Sequence, residues 1–245
     1  MLTLAAGEVH IWIARLPSTN TSHLYSDLSG AERDRVYRLR LSRDRWAYVF
    51  AHAVLRDVLN QYLHCPPGPL EFSVNVFGKP SLAKTADGWT PEFNLSRAGS
   101  LVVVALSADR FIGVDVEEIR PVSEFSLIAE SYFTPEECTF IWHHAATDRE
   151  RAFFRCWTRK EAYIKAVGKG LSIALNSFDT LIPSGQAGRR LPGGTDAPTV
   201  GEWWLTDLEV PEGYIGAVAV ETCIDRLIYF EWSSGGRNVT GLVRA

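Results

Sequence analysis

Gly113-Val114-Asp115-Val116-Glu117-Glu118 decides how this chain is read. Asp115 interrupts an otherwise apolar run from Phe111 to Val116, which marks a β-strand. Side chains alternate along a strand, so Asp115 and Glu117 share one face while Val114 and Val116 point the other way, into the core. Two carboxylates side by side repel each other unless something cationic stands between them. A hard divalent cation answers that need. The plainer alternative is a strand end with both carboxylates solvated near Arg120.

Working outward, Leu101 to Leu106 is a continuous apolar run suited to a buried strand, and Ser107-Ala108-Asp109-Arg110 reads as the turn of a hairpin joining it to Phe111–Val116. Some forty residues downstream lies Trp157-Thr158-Arg159-Lys160-Glu161-Ala162-Tyr163-Ile164-Lys165, closed by Gly168-Lys169-Gly170. The spacing predicts one helix from Arg149 to Val167, ended by Gly168. On it Trp157, Glu161 and Lys165 fall on one face, with Lys160 about 100° round from Glu161. Three carboxylates and two lysines that converge would suit Mg²⁺ beside a phosphate. The alternative is an exposed Glu–Lys pair of small energetic weight.

The rest of the chain gives an ordinary soluble composition: 245 residues, 46% hydrophobic, 22% charged, formal net charge −4. That is enough for one large domain or two of ordinary size. The acidic balance argues against nucleic acid as a partner. Cys65, Cys138, Cys156 and Cys223 form no CxxC pair and no zinc spacing, so reduced thiols and a cytoplasmic location are expected. No signal peptide is evident, and no eighteen-residue apolar run suggests a membrane span.

A first strand is expected around Val9–Ile13. Helices follow from Ser29 to Asn60, interrupted and capped at Ser42. The Cys65-Pro66-Pro67-Gly68-Pro69 run is a hard stop. Strands are expected at Leu70–Phe77 and Phe93–Leu95, and helices at Phe125–Tyr132 and, behind the Thr134-Pro135-Glu136-Glu137 start signal, to about His144. Gln186–Thr199 reads as a loop, Trp203–Leu208 and Tyr214–Val220 as closing strands, and Ser233–Ala245 as a loose tail.

Six arginines stand against three acids between Ala31 and Arg45, with Arg35 and Arg38 on one helical face. Such a cluster is either a phosphate site or a solvated face. Gly78-Lys79-Pro80 and Asn94-Leu95-Ser96-Arg97-Ala98-Gly99 place a lysine, a hydroxyl and a guanidinium at turns and strand ends. They either shape those turns or cradle phosphates.

Four of these segments, in order, carry a resemblance: Phe77-Gly78-Lys79-Pro80, Phe93-Asn94-Leu95-Ser96, Gly113-Val114-Asp115-Val116-Glu117, and Trp157-x-x-Lys160-Glu161-Ala162-x-x-Lys165 with Gly168-Lys169-Gly170-Leu171. Together the ordered set resembles the 4′-phosphopantetheinyl transferases, specifically the larger monomeric Sfp-type group, from about Ser29 to Phe178. The resemblance implies an α+β fold of two similar halves related by pseudo-twofold symmetry, with the active site in the cleft between them. The halves would be residues 1–112, holding coenzyme A phosphate contacts, and 113–245, holding the metal carboxylates, catalytic helix and carrier docking. It implies Mg²⁺-dependent transfer of the phosphopantetheine arm of coenzyme A to a serine of an apo carrier protein, with release of 3′,5′-ADP. Oxygen ligands would also accept Mn²⁺.

By the same resemblance Asp115, Glu117 and Glu161 hold the metal, Glu161 activates the serine, and Lys165 steadies the leaving oxygen. Arg35, Lys79, Ser96, Arg97, Lys160 and Lys165 contact coenzyme A. The carrier docks along Arg120–Ile128, where Phe125 and Ile128 could equally pack on the protein's own core. The chain departs from the pattern at Arg97, where the family commonly has histidine, and at Ala47, where it often has an arginine for the 3′-phosphate. Those departures keep a binding module without turnover as an alternative. A metal-dependent nuclease is a weaker one, since Lys165 lies four residues along a helix from its carboxylate. The larger type points to a monomer serving secondary metabolism; the carrier itself is not legible.

Overall fold

The computed structural model describes residues 2–17, 22–63, 70–83, 88–191, 202–233 and 242–244. The breaker run at residues 65–69 lies outside them, as do residues 192–199 of the expected loop and 234–241 and 245 of the expected tail. In chain order the elements are β1 (Glu8–Arg15), α1 (Gly30–Arg38), α2 (Ser42–Asn60), β2 (Phe72–Val74), β3 (Pro80–Leu82), β4 (Glu92–Ala98), β5 (Leu101–Ser107), β6 (Ile112–Glu118), α3 (Phe125–Tyr132), α4 (Pro135–His143), α5 (Arg149–Val167), β7 (Arg189–Leu191), β8 (Trp203–Leu208), β9 (Tyr214–Glu221), β10 (Arg226–Trp232) and β11 (Leu242–Arg244). The class is α+β.

Two compact units divide the chain. The first comprises Met1–Asn75, Pro80–Asp109 and Asp225–Ala245. Its sheet runs β11-β10-β1-β5-β4. Strand β1 pairs in parallel with β10 and antiparallel with β5, so Trp12 lies opposite Phe230 on one side and Val104 on the other. Helix α2 turns Phe50, Val54 and Val58 into the core against this sheet, a 4-residue spacing that keeps them on one stripe. Helix α1 starts at a capping box, with Ser29 accepting from the Glu32 amide and Glu32 reaching back to the Ser29 amide. Ser42 is not a cap: Leu41 holds that position, without a side-chain hydrogen bond.

The second unit comprises Val76–Lys79 and Arg110–Ile224, with the sheet β6-β9-β8-β7. Helix α4 begins at Thr134 with Pro135 in its first turn and Glu137 closing the box. Helix α5 ends where Gly168 takes a left-handed φ of 74° and its N–H bonds to Ile164.

Besides Ser42, several features differ from the sequence expectation: β7 falls within the stretch expected as a loop, and β11 within the expected tail. Strands β5 and β6 do not form a hairpin. Both edges of β5 are taken by β1 and β4, so β6 pairs with β9 in the other sheet. And the units are not consecutive halves divided at residue 112: β10, which carried no expectation, returns the chain to the first unit by pairing with β1, and Val76–Lys79 groups with the second.

Candidate active site

Strand β6 and helix α5 build the site. Because side chains alternate, Gly113, Asp115 and Glu117 share one face of β6, opposite Ala219, Ala217 and Ile215 of β9. That face carries α5. A Cβ on Gly113 would fall 2.2 Å from the Ala162 carbonyl oxygen and 2.2 Å from the Ala166 nitrogen. The small residues Ala162, Ala166, Ala217 and Ala219 form the same seam. The helix backbone therefore lies directly on the strand, and Glu161 and Lys165, one residue before each of the two contact points, are brought to Asp115.

Lys165 Nζ donates to Asp115 Oδ1 at 2.6 Å. Asp115 is buried and Lys165 half-buried. The Glu117 carboxyl is pushed up to about 7 by burial and by the Asp115 charge, with Glu161 adding to the rise and Lys165 and Arg120 opposing it. Burial and the Asp115 charge also raise the Glu161 carboxyl, against Lys165. Three carboxylates and one ammonium thus feel one another's charge.

As a donor set, three carboxylates under mutual repulsion suit a hard divalent ion. Among the described residues, no three such donors gather closely enough to hold an ion as they stand. The donor chemistry fits; the cage is not preassembled, and an ammonium already neutralises Asp115.

Two lysines of the expected set are engaged with protein. Lys160 is fully buried. Its Nζ sits 2.8 Å from Glu137 Oε2 and donates to the carbonyls of Leu175 and Phe178, each at 2.6 Å. Burial lowers its pKa, against the opposing pull of Glu137. This corrects the phosphate role the resemblance implies, since a side chain with no exposed surface and its donors committed cannot reach a diphosphate. Lys79 donates to the carbonyls of Ile112 at 3.1 Å and Ala166 at 2.8 Å, with its ammonium over the Phe111 ring.

In the first unit Arg35 is exposed in the last turn of α1 and Arg97 is exposed on β4. Both lie close enough to Tyr48 to favour its ionised form, although burial and Glu32 raise that phenol's pKa overall. Ser96, beside Arg97, is buried. Tyr48 stacks on His52 at 4.0 Å between ring centres. Sequence reading missed Tyr48, since a lone aromatic in a helix carries no signal of its neighbours.

On α3, Phe125 and Ile128 pack against the unit's own core, while Leu127 is 59% exposed. Tyr132 and Trp142 are also exposed.

A strand bearing two carboxylates, closed by a helix that brings a third and a lysine, defines a class. The sequence matches the 4′-phosphopantetheinyl transferase superfamily over residues 111–219 and the N-terminal region of 4′-phosphopantetheinyl transferase over residues 16–109. The chain belongs to the 4′-phosphopantetheinyl transferase family, an enzyme class.

Among curated relatives, the chain is 32% identical over 221 residues to 4′-phosphopantetheinyl transferase HetI of Nostoc sp., covering 89% of this chain and 90% of that protein. It is 33% identical over 181 residues to psf-1 of Bacillus pumilus, covering 74% and 75%. It is 28% identical over 204 residues to Sfp of Bacillus subtilis, covering 83% and 86%. Among the described residues, no helix is long and apolar enough to cross a membrane.

Proposed function

We propose that this enzyme moves the 4′-phosphopantetheine arm of coenzyme A to a serine of an apo acyl or peptidyl carrier protein, with the chemistry held between β6 and α5. The observation that carries the reading is the Lys165–Asp115 pair at 2.6 Å with Glu117 and Glu161 within electrostatic reach. Asp115, Glu117 and Glu161 are the residues that would hold Mg²⁺, or Mn²⁺. When bound, the ion supplies charge neutralisation at the diphosphate oxygens.

The residues divide the remaining work. The carrier serine oxygen forms a bond to the phosphorus bearing the pantetheine arm, and that phosphorus loses its bond to the bridging oxygen. 3′,5′-ADP leaves with the electron pair. Glu161 takes the serine proton, a task that suits a carboxylate made more basic by burial. Lys165 steadies charge on the departing oxygen. Arg35, Ser96 and Arg97 contact other phosphate oxygens of coenzyme A, a role that the exposed guanidiniums of Arg35 and Arg97 suit. Arginine at position 97 offers a fork of donors where histidine would offer one.

The carrier docks along Arg120–Ile128. Leu127 supplies an exposed apolar contact there, and Arg120 a cation at the rim. Phe125 and Ile128 serve the core instead. We read the protein as a cytoplasmic monomer; the free thiols of Cys138, Cys156 and Cys223 are in keeping with a reducing compartment.

Purified protein with coenzyme A and Mg²⁺ should add the mass of one phosphopantetheine arm to at least one of a panel of apo carriers, read by intact mass. No transfer to any carrier would overturn the reading. Glu161→Gln should abolish transfer while coenzyme A still binds; normal turnover in that variant would remove its assigned role.

A further inference from the structure

The end of α5 and the start of β6 meet at Lys79. Its ammonium takes the Ala166 carbonyl, one of the last four of α5, which have no partner inside the helix. It takes the Ile112 carbonyl at the first residue of β6 as well. The Phe111 ring lies beneath the charge at 5.4 Å. A cation at a helix C-terminus also complements the helix dipole. The four residues Val76–Lys79 leave the unit of their chain neighbours on both sides and group with β6 and α5. Between the two carbonyls lies Gly113, whose missing Cβ sets how near the helix comes.

We propose that Lys79 is a positioning residue that straps the C-terminal turn of α5 to the first residue of β6. Together with the Gly113 contact it fixes Glu161 and Lys165 relative to Asp115 and Glu117. This rests on the proposed transferase reading for its consequence in catalysis, though not for its geometry. It reassigns Lys79: the ammonium acts through backbone carbonyls of its own unit and not on a phosphate. Gly113 acts in the same seam. Any side chain there must push the helix backbone off the strand, because the atoms it would strike are main-chain and cannot swing aside.

Lys79→Met keeps the stem and removes the donors. Amide hydrogen exchange in the last turn of α5 should then accelerate by about tenfold or more. Carrier loading at saturating coenzyme A should fall by about tenfold, with the Kd for coenzyme A by calorimetry within about twofold of wild type. The opposite pattern overturns the proposal: coenzyme A binding weakened about tenfold, with exchange and saturated turnover unchanged, would make Lys79 a phosphate contact. If Lys79→Met does not fold, Gly113→Ala decides. It keeps the strap and widens the seam, so turnover should fall at unchanged coenzyme A affinity; wild-type turnover in it would sink the inference. Gly30→Ala is the control, since a Cβ there meets nothing within 4 Å and Gly30 lies in α1, outside β6 and α5. Should the wild-type protein load no carrier, the transferase reading fails, while the exchange and calorimetry arms still decide the strap.

Discussion

Helices α1 and α4 begin alike. Each has a hydroxyl cap, Ser29 or Thr134, and a glutamate three residues on that closes a capping box. Each glutamate is also turned inward to meet a cation on the following nineteen-residue helix: Glu32 meets Arg56 of α2 at 2.6 Å, and Glu137 meets Lys160 of α5 at 2.8 Å. The arrangement recurs in two units whose strand orders differ. The difference lies in what else the pair holds. Glu32 shares its charge with His52, which is partly exposed. Glu137 instead takes the Thr180 amide and hydroxyl, while Lys160 takes two carbonyls of the segment after α5. In the first unit the pair joins two helices and reaches the chain beyond α2 at one point, where Arg56 donates to the Leu70 carbonyl at 2.9 Å. In the second the pair fastens the chain beyond α5 at three points, Leu175, Phe178 and Thr180, and the Lys160 ammonium is taken up by Glu137 and two of those carbonyls.

The sharpest way to break this comparison is Lys160→Met. It leaves Glu137 charged with no ammonium in a fully buried position and strands two carbonyls. Losing one member of a buried pair costs about 3–5 kcal/mol. Urea unfolding should show a loss of that order. Unchanged stability with weakened coenzyme A binding would return Lys160 to phosphate contact.

The first unit's pair should show itself in acid. Burial pushes the Glu32 carboxyl up, but hydrogen bonds from His52, the Ser29 amide and Arg56 outweigh it and hold the group at about 2, below its ordinary 4.5. A carboxyl with a depressed folded-state pKa binds its proton more readily when unfolded. Its contribution is therefore complete above pH 4.5 and disappears as pH falls toward 2. A shift of this size corresponds to about 3 kcal/mol. Unfolding curves of wild type and Glu32→Gln should differ by about that much near pH 6 and converge only below about pH 2. A gap that persists at the acid end would mean that shape, and not charge, makes the contribution.

What was legible in the sequence follows the range of the signal. The start of α4 and the end of α5 were readable because the Thr134 cap, Pro135 and Gly168 act within a turn. The face shared by Asp115 and Glu117 follows from strand alternation alone. Pairing was not readable: the β1–β10 match joins residues more than two hundred positions apart, and nothing near Phe111 says that β5 has both edges filled. Lys160 failed for a related reason. Its angle of about 100° from Glu161 separates the two side chains, but only packing against Glu137, Leu175 and Phe178 turns that separation into burial.

The smallest expected effect tests whether the two caps are equivalent. Removing a capping hydroxyl costs about 1 kcal/mol when only the helix end is at stake. Ser29→Ala should give that value, because Glu32 keeps both Arg56 and His52 after the cap is lost. Thr134→Ala should cost more. Thr134 is itself buried, and it orients a glutamate whose other oxygen holds Thr180. Loosening Glu137 therefore loosens Lys160 and the segment it secures. Paired measurements of denaturant midpoints would decide the point. Equal losses would show the boxes to be local helix ends; a larger loss at Thr134 would show that the second is coupled to the chain beyond α5.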